Sequence, residues 1–387
     1  MPIDPSDEQF LQRALELARA GVGLASPNPC VGAVIADAHG NVVGTGTYTY
    51  SARKHAEILA LEAAGERARA GTLYINLEPH AHQGRTPPCT DALIAAGIGR
   101  VVASMADPNP KVSGRGFEQL RAAGVEVDVG GFGEEARRLN ESFARYIRSG
   151  RPFVTLKSAM TLDGKIAPAP RQSSNEKASA RDEFTGHWIT GESARAHAHT
   201  LRHEHDAILV GIGTVLADNP LLTDRSGMPR RRPLLRIVLD SQLRLPLESW
   251  LVQSAAAERN SDLLIFTSSP HSEKQEQLEQ LGVRVQRVPS APAERRLDLS
   301  RVLQCLAEKE ITSLLIEGGS SVNGAVLEAN LVDKVFLYYA PEILGAADAV
   351  PFTRNALLSP IQVRNAQFHR FAADFAVEGY LRDPYQD

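Results

Sequence analysis

The 387-residue sequence predicts an α/β protein of two domains. Three observations carry that prediction. The chain is too long for one ordinary hydrophobic core. Strand-like and helix-like segments alternate along it, the pattern of a layered α/β architecture. The run R-S-G-R-P at residues 148 to 152 interrupts that alternation and places a boundary between domains at 1–148 and 149–387.

The elements follow in order. Residues 8 to 20, E-Q-F-L-Q-R-A-L-E-L-A-R-A, set Leu11, Ala14, Leu15 and Ala18 on one helical stripe. V-G-A-V-I-A-D, the turn A-H-G-N and V-V-G-T-G-T then read as a hairpin. A second helix begins near His55, and T-L-Y-I-N-L is a strand. The loop E-P-H-A-H-Q-G-R-T-P-P-C leads into a helix opening near Cys89. R-V-V-A-S-M and V-E-V-D-V are strands, and E-E-A-R-R-L-N-E-S-F-A-R-Y-I reads as one helix closing the first domain.

A new alternation starts at F-V-T-L-K-S-A-M, a strand. Helix G-E-S-A-R-A-H-A-H-T-L-R and buried strand A-I-L-V-G-I follow. Further strands are R-I-V-L-D, L-L-I-F-T, S-L-L-I-E-G-G and K-V-F-L-Y-Y-A, with helix L-S-R-V-L-Q-C-L-A-E-K before S-L-L-I-E-G-G. Residues 167 to 185, polar and rich in Pro, Ala and Ser, read as a mobile surface loop. No internal repeat is visible.

Composition narrows the function classes. A net charge of -4, with 43% hydrophobic and 23% charged residues, gives no electrostatic reason for a nucleic-acid or membrane partner. The one dense basic run, Arg230-Arg231-Arg232, reads as a solvated loop. The N-terminal residues form no secretion signal, and no apolar run approaches the roughly 20 residues that span a bilayer. Three cysteines, Cys30, Cys89 and Cys305, make no disulfide framework, which fits a reducing cytoplasm.

His55-Ala56-Glu57 is an H-x-E motif. In zinc deaminases the histidine binds the metal while the glutamate moves protons without binding it. The division suits the chemistry: the metal activates water near neutral pH, and a carboxylate carries the proton to the departing amine. Cys89, after Pro87-Pro88 at a helix start, suits a thiolate, which the helix N-terminus favours. By itself H-x-E is common by chance, and a lone cysteine is more often a small buried hydrophobe.

Ser26-Pro27-Asn28-Pro29-Cys30-Val31-Gly32-Ala33, His55-Ala56-Glu57 and Gly84-Arg85-Thr86-Pro87-Pro88-Cys89 together resemble the bifunctional riboflavin-biosynthesis deaminase–reductase, the RibD family. The likeness covers nearly the whole chain. It implies a cytidine-deaminase-like three-layer α/β/α domain followed by a dihydrofolate-reductase-like α/β domain. The family pattern has cysteine at position 80, where this chain has histidine. Tyr48 and Ala52 also replace the usual His and Gly. Three explanations stand: His80 binds zinc in a His/His/Cys site, the deaminase half is metal-free, or His82 supplies the ligand. Survival of His55, Glu57, Cys89, Asn28 and G-R-T-P-P favours the first, with Glu57 catalytic, Asn28 on the substrate, and His55, His80 and Cys89 on Zn2+.

The second half carries L-K-S-A-M-T-L-D-G-K-I-A, W-I-T-G-E, I-L-V-G-I-G-T-V-L-A-D-N-P-L-L-T-D-R, L-D-S and I-E-G-G-S in the order of the family's reductase domain. Glycines 211, 213, 318 and 319 at strand ends allow close approach of a phosphate, and a helix start supplies N–H donors. Gly211-Ile212-Gly213 lacks the third glycine of a dinucleotide-binding fingerprint, so a conventional dehydrogenase fits less well. Arg202 and Arg225 suit a substrate phosphate. By resemblance, Met160, Trp188, Thr214, Asp218, Ser241, Gly319, Ser320 and Ser321 face the cofactor, NADPH. Gly186, Arg202, Leu222, Arg225 and Glu317 face the substrate.

The resemblance implies deamination of a phosphorylated ribosylaminopyrimidine, then reduction of its ribosyl group to ribityl. The alternative is a reductase with an impaired deaminase half. Small phosphorylated pyrimidines are the expected partners, and the expected assembly is a homo-oligomer, a dimer or tetramer.

Overall fold

The computed structural model describes residues 4–82, 87–168, 188–260, 262–290, 296–354 and 359–386. They cluster into two compact units, Met1–Arg151 with Pro229–Arg232 and Asp387, and Pro152–Met228 with Pro233–Gln386. Among the described residues no helix is long and apolar enough to cross a membrane.

The first unit runs α1 (Pro5–Arg19), β1 (Gly32–Ala36), β2 (Val42–Thr47), α2 (Ala56–Ala64), β3 (Thr72–Ile75), α3 (Cys89–Ala95), β4 (Arg100–Ala103), α4 (Arg115–Ala122), β5 (Glu126–Val129), α5 (Gly133–Leu139) and α6 (Glu141–Ser149). Asp4 caps α1 by accepting from the N–H of Ser6. The sheet order is β2-β1-β3-β4-β5. β1 is antiparallel to β2 and β3, and β3, β4 and β5 are parallel. Alternation along β1 builds three layers: Val34 and Ala36 pack with Leu11 and Ala14 of α1, while Ala33 and Ile35 join Ala56, Ala60 and Ala64 of α2.

Two expectations are corrected here. The segment read as one helix over 134–147 is two, broken at Asn140. This fully buried amide exchanges two hydrogen bonds with Cys30, accepting from its N–H at 2.8 Å and donating to its carbonyl at 3.2 Å. Such a long-range backbone mimic fixes the chain there against helical continuation. The basic run at 230–232 is half-buried, not solvated. Arg231 lies over the ring of Tyr50 at 3.4 Å and donates to the carbonyl of Ser26.

The second unit runs β6 (Phe153–Thr161), β7 (Lys165–Ala167), α7 (Glu192–Glu204), β8 (Ala207–Gly211), α8 (Ile212–Asp218), β9 (Leu235–Leu239), α9 (Trp250–Glu258), β10 (Leu263–Thr267), α10 (Glu273–Gln280), β11 (Arg284–Arg287), α11 (Leu299–Ala307), β12 (Ser313–Ile316), α12 (Ser320–Glu328), β13 (Lys334–Ala340), β14 (Val350–Pro351), β15 (Arg364–Phe371) and β16 (Asp374–Tyr380). Nine strands form one sheet in the order β11-β10-β9-β8-β12-β6-β13-β16-β15, while β7 pairs with β14. From β11 to β13 all neighbours are parallel, and β16 and β15 add an antiparallel edge.

Helices cover both faces, which is why central strands such as A-I-L-V-G of β8 read as near-continuous apolar runs. Leu209 and Ile237 pack with Val302 and Leu306 of α11. Ile208, Val210 and Val238 pack with Leu251, Val252 and Ala255 of α9. Most of the segment expected as a loop at 167–185 lies outside the described residues.

Candidate active sites

In the first unit, α2 approaches β2 so closely that a Cβ on Gly46 would lie 2.0 Å from the carbonyl oxygen of Ala56. Only glycine permits that contact. It holds the start of α2 against the sheet, with His55 at the N-cap and Glu57 in the first turn. Opposite, α3 opens at Cys89, and the carbonyl of His80 accepts from the N–H groups of Cys89 and Thr90 at 2.8 and 3.2 Å. One acceptor thus satisfies two of the orphan donors of α3 and ties residue 80 to residue 89 across the loop.

The result is a cluster. Ligand atoms of His55, His80 and Cys89 lie within 4.8 Å of one another, with His55 Nδ1 3.0 Å from Cys89 Sγ. Glu57 is 3% exposed and hydrogen-bonded to Cys89. His82 stands outside the trio, its ring 4.0 Å from that of His80. Asn28 is exposed and donates to the hydroxyl of Tyr48 at 2.5 Å; the Tyr48 ring edge rests on His55.

Electrostatics fit a cation. Burial, then His82 and His55, pull His80 down to about 4, so its imidazole is neutral at physiological pH. Burial and the adjacent Glu57 carboxylate push the Cys89 thiol up, a balance that a bound divalent ion reverses. Among the described residues His80 Nδ1 is buried with no hydrogen-bond partner. An orphaned lone pair beside an imidazole and a thiol is what a zinc ion would satisfy, with a fourth position open for water.

Sequence reasoning gave Glu78 no role. It is 5% exposed, and its carboxylate accepts from the N–H groups of Asp107 and Gly114 at 2.9 Å and Gly116 at 2.8 Å. It thereby fixes the 107–116 loop beside the His80 segment. A carboxylate directly before Pro79, at the end of an apolar strand, was the available signal.

In the second unit a cleft of about 1470 Å³ opens at the carboxyl ends of the parallel strands. That location is where open α/β sheets bind ligands. Its size exceeds the roughly 300–1,000 Å³ of a one-ligand pocket, leaving room for cofactor and substrate together. Trp188, Thr214, Asp218, Ser241, Gly319, Ser320 and Ser321 line it, as do Arg202, Leu222, Arg225 and Glu317. Met160 does not; it is 3% exposed, on β6. Trp188 is 72% exposed beneath the guanidinium of Arg195, so it stands at the rim and not in the core. Gly186 lies outside the described residues.

Arg202 spends its fork within the protein. Nε and Nη2 donate to the two oxygens of Glu317 at 2.7 and 3.0 Å, and Nη1 donates to the carbonyl of Thr223. Lys157 reaches the same carboxylate at 3.5 Å and lies over the ring of Tyr338. Burial raises the Glu317 carboxyl, but Lys157 and Arg202 outweigh it and hold it at about 2. Lys157 and Tyr338 are pocket residues that no spacing could reveal, since residues 157, 202, 317 and 338 meet only through the sheet. Gly318 and Gly319 lead into α12, whose first N–H groups have no intrahelical partners and so suit a cofactor phosphate.

These two sites define a class: a metal-site deaminase joined to a reductase. Residues 4–105 match the cytidine and deoxycytidylate deaminase zinc-binding region, and residues 152–377 the RibD C-terminal domain. The chain belongs to the RibD family of riboflavin-biosynthesis proteins. It is 45% identical to riboflavin biosynthesis protein RibD of Actinobacillus pleuropneumoniae, over 89% of this chain and 86% of that protein. With the Escherichia coli protein of the same name it shares 38%, over 88% and 89%. Among solved structures, Acinetobacter baumannii RibD superposes with a TM-score of 0.80 at 32% identity, covering 97% of this chain and 98% of that one. A Thermotoga maritima diaminohydroxyphosphoribosylaminopyrimidine deaminase/5-amino-6-(5-phosphoribosylamino)uracil reductase gives 0.77 at 36%, with the same coverage. The expected fold class, a cytidine-deaminase-like unit before a dihydrofolate-reductase-like one, is the one found.

Proposed function

We propose that this chain carries out two successive steps of riboflavin synthesis: hydrolytic deamination of 2,5-diamino-6-(phosphoribosylamino)pyrimidinone, then NADPH-dependent reduction of the ribosyl side chain to ribityl. Residues 1–148 hold the first activity and 149–387 the second. The observation that carries the two-reaction reading is the convergence of His55, His80 and Cys89, with Glu57 bonded to Cys89 beside them. A metal-free deaminase half has no need of that arrangement, and nothing in the site favours a reductase alone.

His55, His80 and Cys89 hold zinc, which when bound supplies the Lewis acidity that activates water near neutral pH. Glu57, shielded from solvent, accepts the proton of that water and returns it to the departing amine. Asn28, at the exposed side, contacts the pyrimidine. In the cleft, NADPH supplies a hydride. Thr214, Asp218, Ser241 and the turn at Gly319, Ser320 and Ser321 hold it, with Trp188 flanking. Glu317, oriented by Arg202 and Lys157, faces the substrate, and Leu222 and Arg225 border it. Geometry contributes most to this half, because hydride transfer requires the accepting carbon to be held against the nicotinamide.

The chain works as a cytoplasmic homo-oligomer in this reading. Metal analysis of the purified protein beside His80→Ala tests the first reaction; unchanged zinc in the variant overturns the ligand set. NADPH oxidation with the deaminated substrate tests the second, and none at adequate enzyme concentration overturns it.

A further inference from the structure

One contact at the metal-site residues has no part in that scheme. His80 Nε2 lies 3.3 Å from His82 Nε2, with the rings 4.0 Å apart and tilted by 52°. The other nitrogen of His80, Nδ1, is buried and has no hydrogen-bond partner among the described residues. A neutral imidazole carries one N–H and one lone pair. When Nδ1 offers its lone pair to a cation, Nε2 carries the hydrogen, and His82 Nε2 is the acceptor the structure places in front of it.

We propose that His82 is a positioning residue for the metal: its Nε2 accepts the Nε2–H of His80, which selects the tautomer that leaves Nδ1 free to ligate. The inference rests on the zinc reading above and deepens it. Its logic is specific to a histidine at position 80. A thiolate there would offer one sulfur and no second N–H, so there would be no tautomer to select. Imidazole at 80 therefore creates a dependence on position 82. Outer partners of this kind are worth about 10- to 100-fold in metal affinity.

The exposed position of His82 makes it accessible to substitution without opening the core. In the full-length chain, zinc affinity is measured by competition with a chromogenic chelator. His82→Phe keeps an aromatic ring against His80 but has no acceptor, and is expected to weaken binding about 10- to 100-fold. His82→Gln, whose amide oxygen can accept, recovers most of the loss. In a His80→Cys background, adding His82→Phe leaves the affinity where His80→Cys alone sets it. Cobalt loading reports the site independently, since thiolate-to-cobalt absorption persists while Cys89 remains bound. If His82→Phe binds zinc as tightly as the parent while His80→Ala has lost it, the positioning role fails and the ligand set stands. Equal losses from His82→Phe in both backgrounds mark a merely structural residue and also overturn the proposal. Zinc retained by His80→Ala overturns the ligand set itself.

Discussion

Arg202 grips Glu317 through both arms of its guanidinium, Nε to Oε1 at 2.7 Å and Nη2 to Oε2 at 3.0 Å, across 115 residues of sequence. The pair lines the reductase cleft, and Lys157 approaches the same carboxylate. One carboxylate so placed serves two cations.

This pair makes stability depend on acid. The Glu317 carboxyl lies at about 2 in the fold against an ordinary 4.5, because Lys157 and Arg202 outweigh its burial. A lowered folded-state value stabilises the protein above the unfolded value and loses that contribution as pH falls toward the folded one. Glu317→Gln is therefore expected to lower the melting temperature at pH 7 and to flatten the fall in stability between about pH 4.5 and 2. Thermal unfolding across that range checks it; parallel pH profiles for the two proteins would contradict it.

Glu57→Gln separates proton transfer from metal binding. Zinc content should equal that of the parent, while deamination falls by about 10² to 10⁴. Metal analysis and ammonia release measure the two. Loss of zinc from this variant would make Glu57 part of the ligand shell.

Gly46→Ala tests the contact that places His55 and Glu57. A methyl group there meets the Ala56 carbonyl oxygen at 2.0 Å, so α2 must shift. The expected cost is about 1–3 kcal/mol or more. Denaturant unfolding reads it, and zinc affinity should fall alongside. Full stability with unchanged zinc binding would show that α2 does not depend on this approach.

The second unit has a comparable point at Arg236, fully buried on β9 and paired with Asp262 at 2.7 Å. Asp262→Ala leaves an uncompensated buried charge and should cost about 3–5 kcal/mol. Unfolding of the reductase unit, followed by chemical denaturation, provides the measurement. A loss below 1 kcal/mol would place Arg236 in contact with water.

Much of the fold was legible because it rests on local periodicity. The α1 stripe of Leu11, Ala14, Leu15 and Ala18 is buried as its spacing requires, and the largely apolar strand L-L-I-F-T is buried throughout because helices cover both sheet faces. The break at Asn140 was not legible. Its cause is a hydrogen-bond exchange with Cys30, 110 residues away, and the local sequence reads as helix.

Sequence alone determined the chemistry on offer: an H-x-E motif, a cysteine at a helix start, glycines at strand ends, and histidine where the family pattern has cysteine. Side-chain type is a property of the chain, and so is spacing within one element. Tertiary structure decided which groups meet. It set His80 rather than His82 against His55 and Cys89, turned the Arg202 fork inward onto Glu317, and drew Lys157 and Tyr338 into the cleft. Those outcomes depend on strand order and on contacts between residues far apart in sequence, which no local pattern encodes.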